Sequence, residues 1–470
     1  MKKIDENFYG YIRVEGDTYT YNVSDNIVTL LPAQSDPQKR DDSLYRIKSH
    51  KTDTPEYLFG EDNNSMIAIL RNGKFVTDHI GTNVAIRFAT PIIIKACGNA
   101  EGFFNMLTED WCKFHAITFC GGNINALYTP GIAIEQPDVS ELLKYDGART
   151  IKMRPWSAYT RTTQFQIENE KVTLTVSIGQ TAETNNAENR GAYNLGKVYT
   201  FFRFSFENAQ GFEKMEKYYI IARKIVAILT SQNNICFEEV YLSQRNSEQK
   251  YFKTGICKIF DSYENYSIRQ WHKVIPIFSV FDYIPNLIDG IVNGKVNSLL
   301  ELLPEDNKMV NRISIKNVQD LCTALEVSYQ LDDKRKREKD ALIEELKKNI
   351  KNTIAEFTKA HNEIDVNKET TMSSAFQYLD YTLKQKILTL YNENSDIVDE
   401  IVSKYSLPSV NENSIASFVK LRNNKTHSDT VEWGESAKIY TPLFAIVYAS
   451  FFKYIKLPDE VIKSTLLQIF

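Results

Sequence analysis

Over residues 1–205, hydrophobic and polar positions alternate in short runs. Thr18-Tyr19-Thr20-Tyr21-Asn22-Val23 and Val172-Thr173-Leu174-Thr175-Val176-Ser177 repeat every second residue, the period of a half-buried strand. Apolar runs such as Ala85-Ile86-Arg87-Phe88-Ala89 and Ile92-Ile93-Ile94 lie between clusters of Gly, Asn, Asp and Pro. This punctuation predicts a β-rich sandwich or barrel over 1–205. Over 206–318 the pattern is mixed. Strands are predicted at 199–206, 236–242 and 251–260, a helix at 212–229, and helical segments across 271–303. The pattern leaves open whether 206–318 completes the β domain or stands alone.

Beyond residue 318 the period changes. Of 19 glycines only Gly434 lies there, and of 13 prolines only Pro408, Pro442 and Pro458. Glycine supplies the positive φ of tight turns, so its near absence suits long helices. Leu321, Leu325 and Tyr329 form a stripe with i, i+4 spacing over 318–330. A charged segment follows over 332–361. Its Asp333-Lys334-Arg335-Lys336-Arg337-Glu338-Lys339 interleaves acids with bases, which reads as a solvated helix face rather than a nucleic-acid patch. Further helices are predicted at 371–391, 396–404, 413–424, 435–456 and 459–467, with short connections that suit an antiparallel bundle. The expected fold class is a multidomain α+β protein: a β-rich region over 1–205, a mixed connection over 206–318 and an all-α bundle over 319–470. No repeat of 20–50 residues is visible.

Charge and cysteine usage narrow the setting. The 470 residues carry 56 Lys+Arg against 60 Asp+Glu, a net charge of −4. A protein that coats nucleic acid through bulk charge is basic, so any such partner must be met by a local site. The opening Met1-Lys2-Lys3-Ile4-Asp5-Glu6-Asn7 turns acidic where a signal peptide needs an apolar core. The most apolar late run, 443–452, is about half the ~20 residues that span a bilayer. Six scattered cysteines without a CxxC pair suit reduced thiols. The sequence therefore reads as a cytoplasmic, non-membrane protein.

One cluster carries chemistry: Phe418-Val419-Lys420-Leu421-Arg422-Asn423-Asn424-Lys425-Thr426-His427-Ser428-Asp429. Arginine grips a phosphodiester bidentately, and histidine exchanges protons near neutrality. Together they suffice to cut RNA with its own 2′-OH as nucleophile, without a metal. On an ideal helix Arg422 and His427 stand about 140° apart, whereas Asn423 and His427 share a face. Arg422 and His427 of one chain therefore converge only where the helix ends or distorts, or else two copies of the motif meet across a dimer axis. Both are expected here.

Arg422-Asn423-x-x-x-His427, late in a Gly-poor helical region, resembles the R-N-x3-H motif of the HEPN superfamily of ribonucleases. The surroundings resemble the Apea-like HEPN branch: Ala324-Leu325-Glu326 on an opening helix, then the motif, a polar turn, and an apolar helix before Leu457-Pro458-Asp459. The β-rich beginning, Tyr9-Gly10-Tyr11-Ile12, resembles the N-terminal domain of ApeA-type anti-phage proteins. The resemblance implies a C-terminal HEPN bundle in which Arg422 binds the scissile phosphate, His427 is the general acid or base, and Asn423 orients one of them. Glu326 is an auxiliary candidate. It further implies no cofactor or metal, a homodimer, a 2′,3′-cyclic phosphate product and a role in abortive anti-phage defence. The RNA would be single-stranded or a loop, with transfer-RNA anticodon loops as a family-like target. A phage-derived trigger would act on the N-terminal region. Lys425-Thr426 departs from the larger apolar residues many relatives place there.

Other motifs carry less. Cys112-x2-His115-x4-Cys120 imitates part of a zinc knuckle but lacks a fourth ligand, and 114–119 alternates like a strand, so buried thiols are the simpler reading. Gly121-Gly122-Asn123 is a turn signal without the Lys-Ser/Thr of a phosphate loop. His272, beside Trp271, reads as a core or edge histidine. The 26 Tyr and 26 Phe read as core filling rather than a base-stacking platform. The competing function is a non-catalytic HEPN dimerisation or nucleotide-binding module with a β-rich ligand-recognition domain. A DNA-binding regulator is disfavoured by the lack of a basic recognition helix.

Overall fold

A computed structural model describes residues 8–14, 17–33, 38, 42, 56–62, 65–80, 83–97, 111–135, 153–184, 193–260, 273–305, 313–332, 341–361, 370–371, 381–427 and 435–470. Side chains are described for these except 56, 78–80, 83–84, 181–184, 193–196, 341, 424–427 and 435–436. The chain forms two compact units, 1–226 with 234–268 and 227–233 with 269–470. The fold is mixed α+β.

The first unit begins with a closed barrel. Strands β1 (Phe8–Val14), β2 (Asp17–Ser24), β3 (Ile27–Pro32), β4 (Glu56–Asp62), β5 (Ser65–Ile80) and β6 (Asn83–Ala89) pair antiparallel in the order β4-β1-β2-β3-β6-β5, and β5 returns to β4. Alternate residues fill the interior. Phe8, Ile12, Tyr19, Tyr21, Val23, Val28, Leu30, Ile67 and Ile69 are all buried there, as a period of two directs. Closure brings β1 hard against β4. A Cβ at Gly10 would collide with the Glu61 carbonyl oxygen and one at Gly60 with that of Tyr11, so both seam positions need glycine.

From β5 the same sheet continues outward through β7 (Ile92–Ala96), β13 (Tyr251–Ile259), β12 (Glu239–Arg245), β8 (Lys113–Cys120), β11 (Tyr193–Gly211), β10 (Glu170–Thr184) and β9 (Arg161–Ile167). Short helices α1 (Gly122–Leu127) and α2 (Trp156–Tyr159) lie between strands, and α3 (Met215–Thr230) follows β11. One face of this sheet presents Phe119, Phe202, Phe204, Val240 and Leu242, all buried. The rings of Phe119 and Phe204 meet Tyr219 and Tyr218 of α3 at centroid distances of 6.2 and 5.9 Å. The opposite face holds Cys120, Thr118, Phe201, Arg203 and Tyr241 in cross-strand register.

The described residues of the second unit are helical. They form α4 (Ile277–Val280), α5 (Ile284–Val292), α6 (Asn297–Leu302), α7 (Ile315–Gln330), α8 (Ala341–Ala360), α9 (Leu383–Lys404), α10 (Glu412–His427), α11 (Tyr440–Tyr454) and α12 (Asp459–Ile469). Ser314 caps α7 and Thr382 caps α9, each in a reciprocal capping box with Asn317 or Gln385. The apolar helix α11 packs on α7, α9 and α12, with Leu443, Ala445, Ile446, Tyr448 and Phe451 buried. Among the described residues no helix is long and apolar enough to cross a membrane. The run 443–452 is instead the buried centre of this unit.

Two local expectations change. The helices expected at 371–391 and 396–404 are one helix from 383 onward: the polar Asn392–Ser395 stretch stays helical, and the buried Asn394 satisfies its amide on the Leu390 carbonyl at 2.7 Å. Gly121-Gly122-Asn123 opens α1 rather than a turn. The expected connecting stretch 206–318 gives β12, β13 and most of α3 to the first unit and α4, α5 and α6 to the second. The expectations for Asp333–Lys339 and His272 fall outside the described residues.

Candidate functional site

Helix α10 carries the Arg-Asn-His motif, and its start explains its placement. Asn411 Oδ1 accepts the Ser414 amide at 2.9 Å, and Ser414 Oγ accepts the Asn411 amide at 2.9 Å, which satisfies donors that the first turn leaves open. Ile415, Phe418 and Leu421 then form the buried stripe that docks α10 on α7 and α9. The exposed pair Lys384–Glu412, 2.8 Å apart, links the beginnings of α9 and α10 and holds the Glu412 carboxyl below its ordinary range.

The motif occupies the far end of α10. Arg422 and Asn423 are exposed, one residue beyond the buried Leu421. Arg422 Nη1 donates to Asn423 Oδ1 at 3.1 Å, so the amide steadies the guanidinium. The helix is described as far as His427. The His427 side chain lies outside the described residues, as do those of Asn424, Lys425 and Thr426. A backbone that stays helical from 422 to 427 keeps these two positions about 140° apart around the axis. One helix therefore does not bring them onto one face. The expected angular separation follows from this helical backbone, and whether the helix stops after His427 lies outside the described residues.

Glu326 lies one turn beyond Cys322 on α7, and its carboxylate stands 3.6 Å from Lys386 Nζ of α9. Cys322 is buried, and burial pushes its thiol up to about 12; the Arg422 guanidinium pulls it down and the Glu326 carboxylate pushes it up. Arg422 and Glu326 thus act on one buried sulfur, which puts both charges at the junction of α7, α9 and α10. Lys386 belongs to the same cluster, and the sequence held no signal for it, since its partner lies 60 residues earlier on another helix.

The zinc-like spacing takes a different form. Cys112 precedes β8, while His115 and Cys120 stand five residues apart on it and so face opposite sides of the sheet. His115 Nδ1 accepts the Arg245 amide at 3.4 Å, and burial with the nearby Arg245 guanidinium lowers its pKa. Among the described residues no group of His, Cys, Asp or Glu is arranged to hold a metal ion.

Comparison with family models, with curated proteins and with solved structures finds no match to this chain.

Proposed function

We propose that the chain is a HEPN-type endoribonuclease of the cytoplasm that cuts single-stranded or looped RNA without a metal. The carrying observation is an exposed Arg422, steadied by Asn423, on a helix described as far as His427. Arg422 grips the scissile phosphodiester and stabilises the charge that builds on it. His427 moves the proton: it takes one from the attacking 2′-OH or gives one to the departing 5′-oxygen. The 2′-oxygen bonds to phosphorus as the P–O5′ bond breaks, which leaves a 2′,3′-cyclic phosphate and a 5′-hydroxyl. Because positions 422 and 427 stand about 140° apart on one helix, a second copy of α10 completes the site, with arginine from one chain and histidine from the other. The biological reading is abortive anti-phage defence, with the first unit answering a phage-derived trigger and transfer-RNA anticodon loops among the targets.

The test is cleavage of total and transfer RNA by the purified chain in EDTA, with chemical mapping of the ends. His427→Ala is expected to slow cleavage about 10²–10⁴-fold, the usual contribution of general acid–base catalysis, and Arg422→Ala to act similarly, with the thermal midpoint unchanged. Cyclic phosphate ends formed in EDTA support the reading. Cleavage that chelation abolishes, or that neither substitution slows, overturns it. A pure dimer that binds nucleotides and cuts nothing would establish the non-catalytic module instead.

A further inference from the structure

The outer sheet of the first unit carries charged and aromatic side chains that the proposed nuclease chemistry does not use. Cross-strand register puts Arg203 of β11 beside Thr118 of β8 and Tyr241 of β12, on the face opposite α3. Arg203 donates its Nε–H to the Thr118 hydroxyl at 3.2 Å. Its guanidinium carbon stands 4.8 Å from the Phe201 ring centroid and 5.2 Å from that of Tyr251. The series extends at both ends. Trp156 stacks on Phe201 with centroids 6.2 Å apart and planes 29° from parallel, and the Arg245 guanidinium lies 5.9 Å from Tyr251. The result is a chain of contacts, Trp156–Phe201–Arg203–Tyr251–Arg245, drawn from four different elements.

Charge decides what this arrangement fits. Glu239 is engaged by Lys253 and Glu238 by Lys197, so those pairs cancel. Arg203 bonds to the Thr118 hydroxyl. Arg245 bonds to the carbonyls of Phe206 and Glu207 and to the Gln249 amide oxygen. Among the described residues neither guanidinium has a carboxylate partner, which leaves two positive charges uncompensated on one half-buried face. Rings beside a guanidinium cover its flat sides and leave its N–H edge to donate, the geometry a phosphate oxygen accepts. Trp156, 51% exposed, offers an indole surface next to that edge.

We infer that this face binds single-stranded nucleic acid, with Arg203 and Arg245 on successive phosphates and an unpaired base stacked on Trp156. Alternating rings and cations recognise a strand because every base has a stacking face and every link a phosphate. The site is independent of α10, and its binding does not depend on whether the chain cuts RNA.

The experiment is fluorescence anisotropy of a labelled oligouridylate of about 12 nucleotides with the full chain, carried in a His427→Ala background so that the strand persists. Trp156→Ala and Arg203→Ala are each expected to weaken binding at least about fivefold, the lower range for losing one stacked base. Arg203→Ala also lowers the slope of log affinity against log salt by about 0.7, the loss of one phosphate contact on a single strand. Trp156 is exposed, so its replacement reports on binding even where Arg203→Ala disturbs the sheet. Equal affinity in wild type and both variants overturns the inference, as does no binding at low salt. Affinity that falls with Arg422→Ala but with neither sheet substitution also overturns it, by assigning the strand to the second unit.

Discussion

The two units hold their arginines in opposite ways. In the first, Arg203 is half-buried, flanked by two rings and tied to a buried threonine, and its neighbours arrive from strands far apart in the chain. In the second, Arg422 is exposed on helix α10 and hydrogen-bonds to the next residue, Asn423. A side chain fixed by its surroundings meets a ligand with little ordering cost, whereas an exposed one must be ordered by whatever it binds. The sheet arginine is thus built for binding in a single chain. On the proposed reading, the helix arginine belongs to a site that a second copy of the chain completes.

This contrast can be sharpened by stability measurements. The largest effect is expected from Thr118→Val, which removes a buried acceptor from Arg203 and costs about 1–3 kcal/mol, as a lost partner for a buried polar group does; denaturant melts measure it. Arg422→Ala should change stability by no more than about 0.5 kcal/mol, as exposed substitutions do. If the two changes cost the same, the distinction between a fixed and an exposed arginine fails. The smallest effect concerns pH. Burial and Arg245 lower the His115 pKa in the fold, so the unfolded chain takes up its proton first as pH falls. His115 therefore contributes nothing to the pH slope well above its ordinary value near 6.5, and it destabilises the fold as pH drops below that value. The melting midpoint of His115→Gln should fall slightly less than that of wild type between neutral and mildly acidic pH. Parallel curves would show that His115 does not sense its surroundings.

Local periodicity was legible where burial is one-sided. The alternation at 18–23 and 172–177 became β2 and the middle of β10, and the stripe at 321 and 325 became the buried side of α7. What the pattern could not carry was pairing across distance. Barrel closure depends on Gly10 meeting Glu61 and Gly60 meeting Tyr11, contacts between residues about 50 apart, and no window on the sequence spans them. The break expected between 391 and 396 fell on polar residues that one helix accommodates, with the buried Asn394 amide satisfied by the Leu390 carbonyl. At the site, Arg422, Asn423 and His427 stood together in the sequence because one helix holds them. Lys386 reaches Glu326 from another helix, and the five residues from Trp156 to Arg245 come from four elements, so neither was visible beforehand.

The central claim is that Arg422 of one chain and His427 of another work on one phosphodiester. It is tested most directly by mixing the two inactive variants, Arg422→Ala and His427→Ala, under conditions that let subunits exchange, and assaying RNA cleavage. Random pairing in a two-fold dimer makes half the dimers mixed, each with one intact site of two, so the mixture should recover about one quarter of wild-type activity. A mixture as inactive as its separate components would contradict the claim.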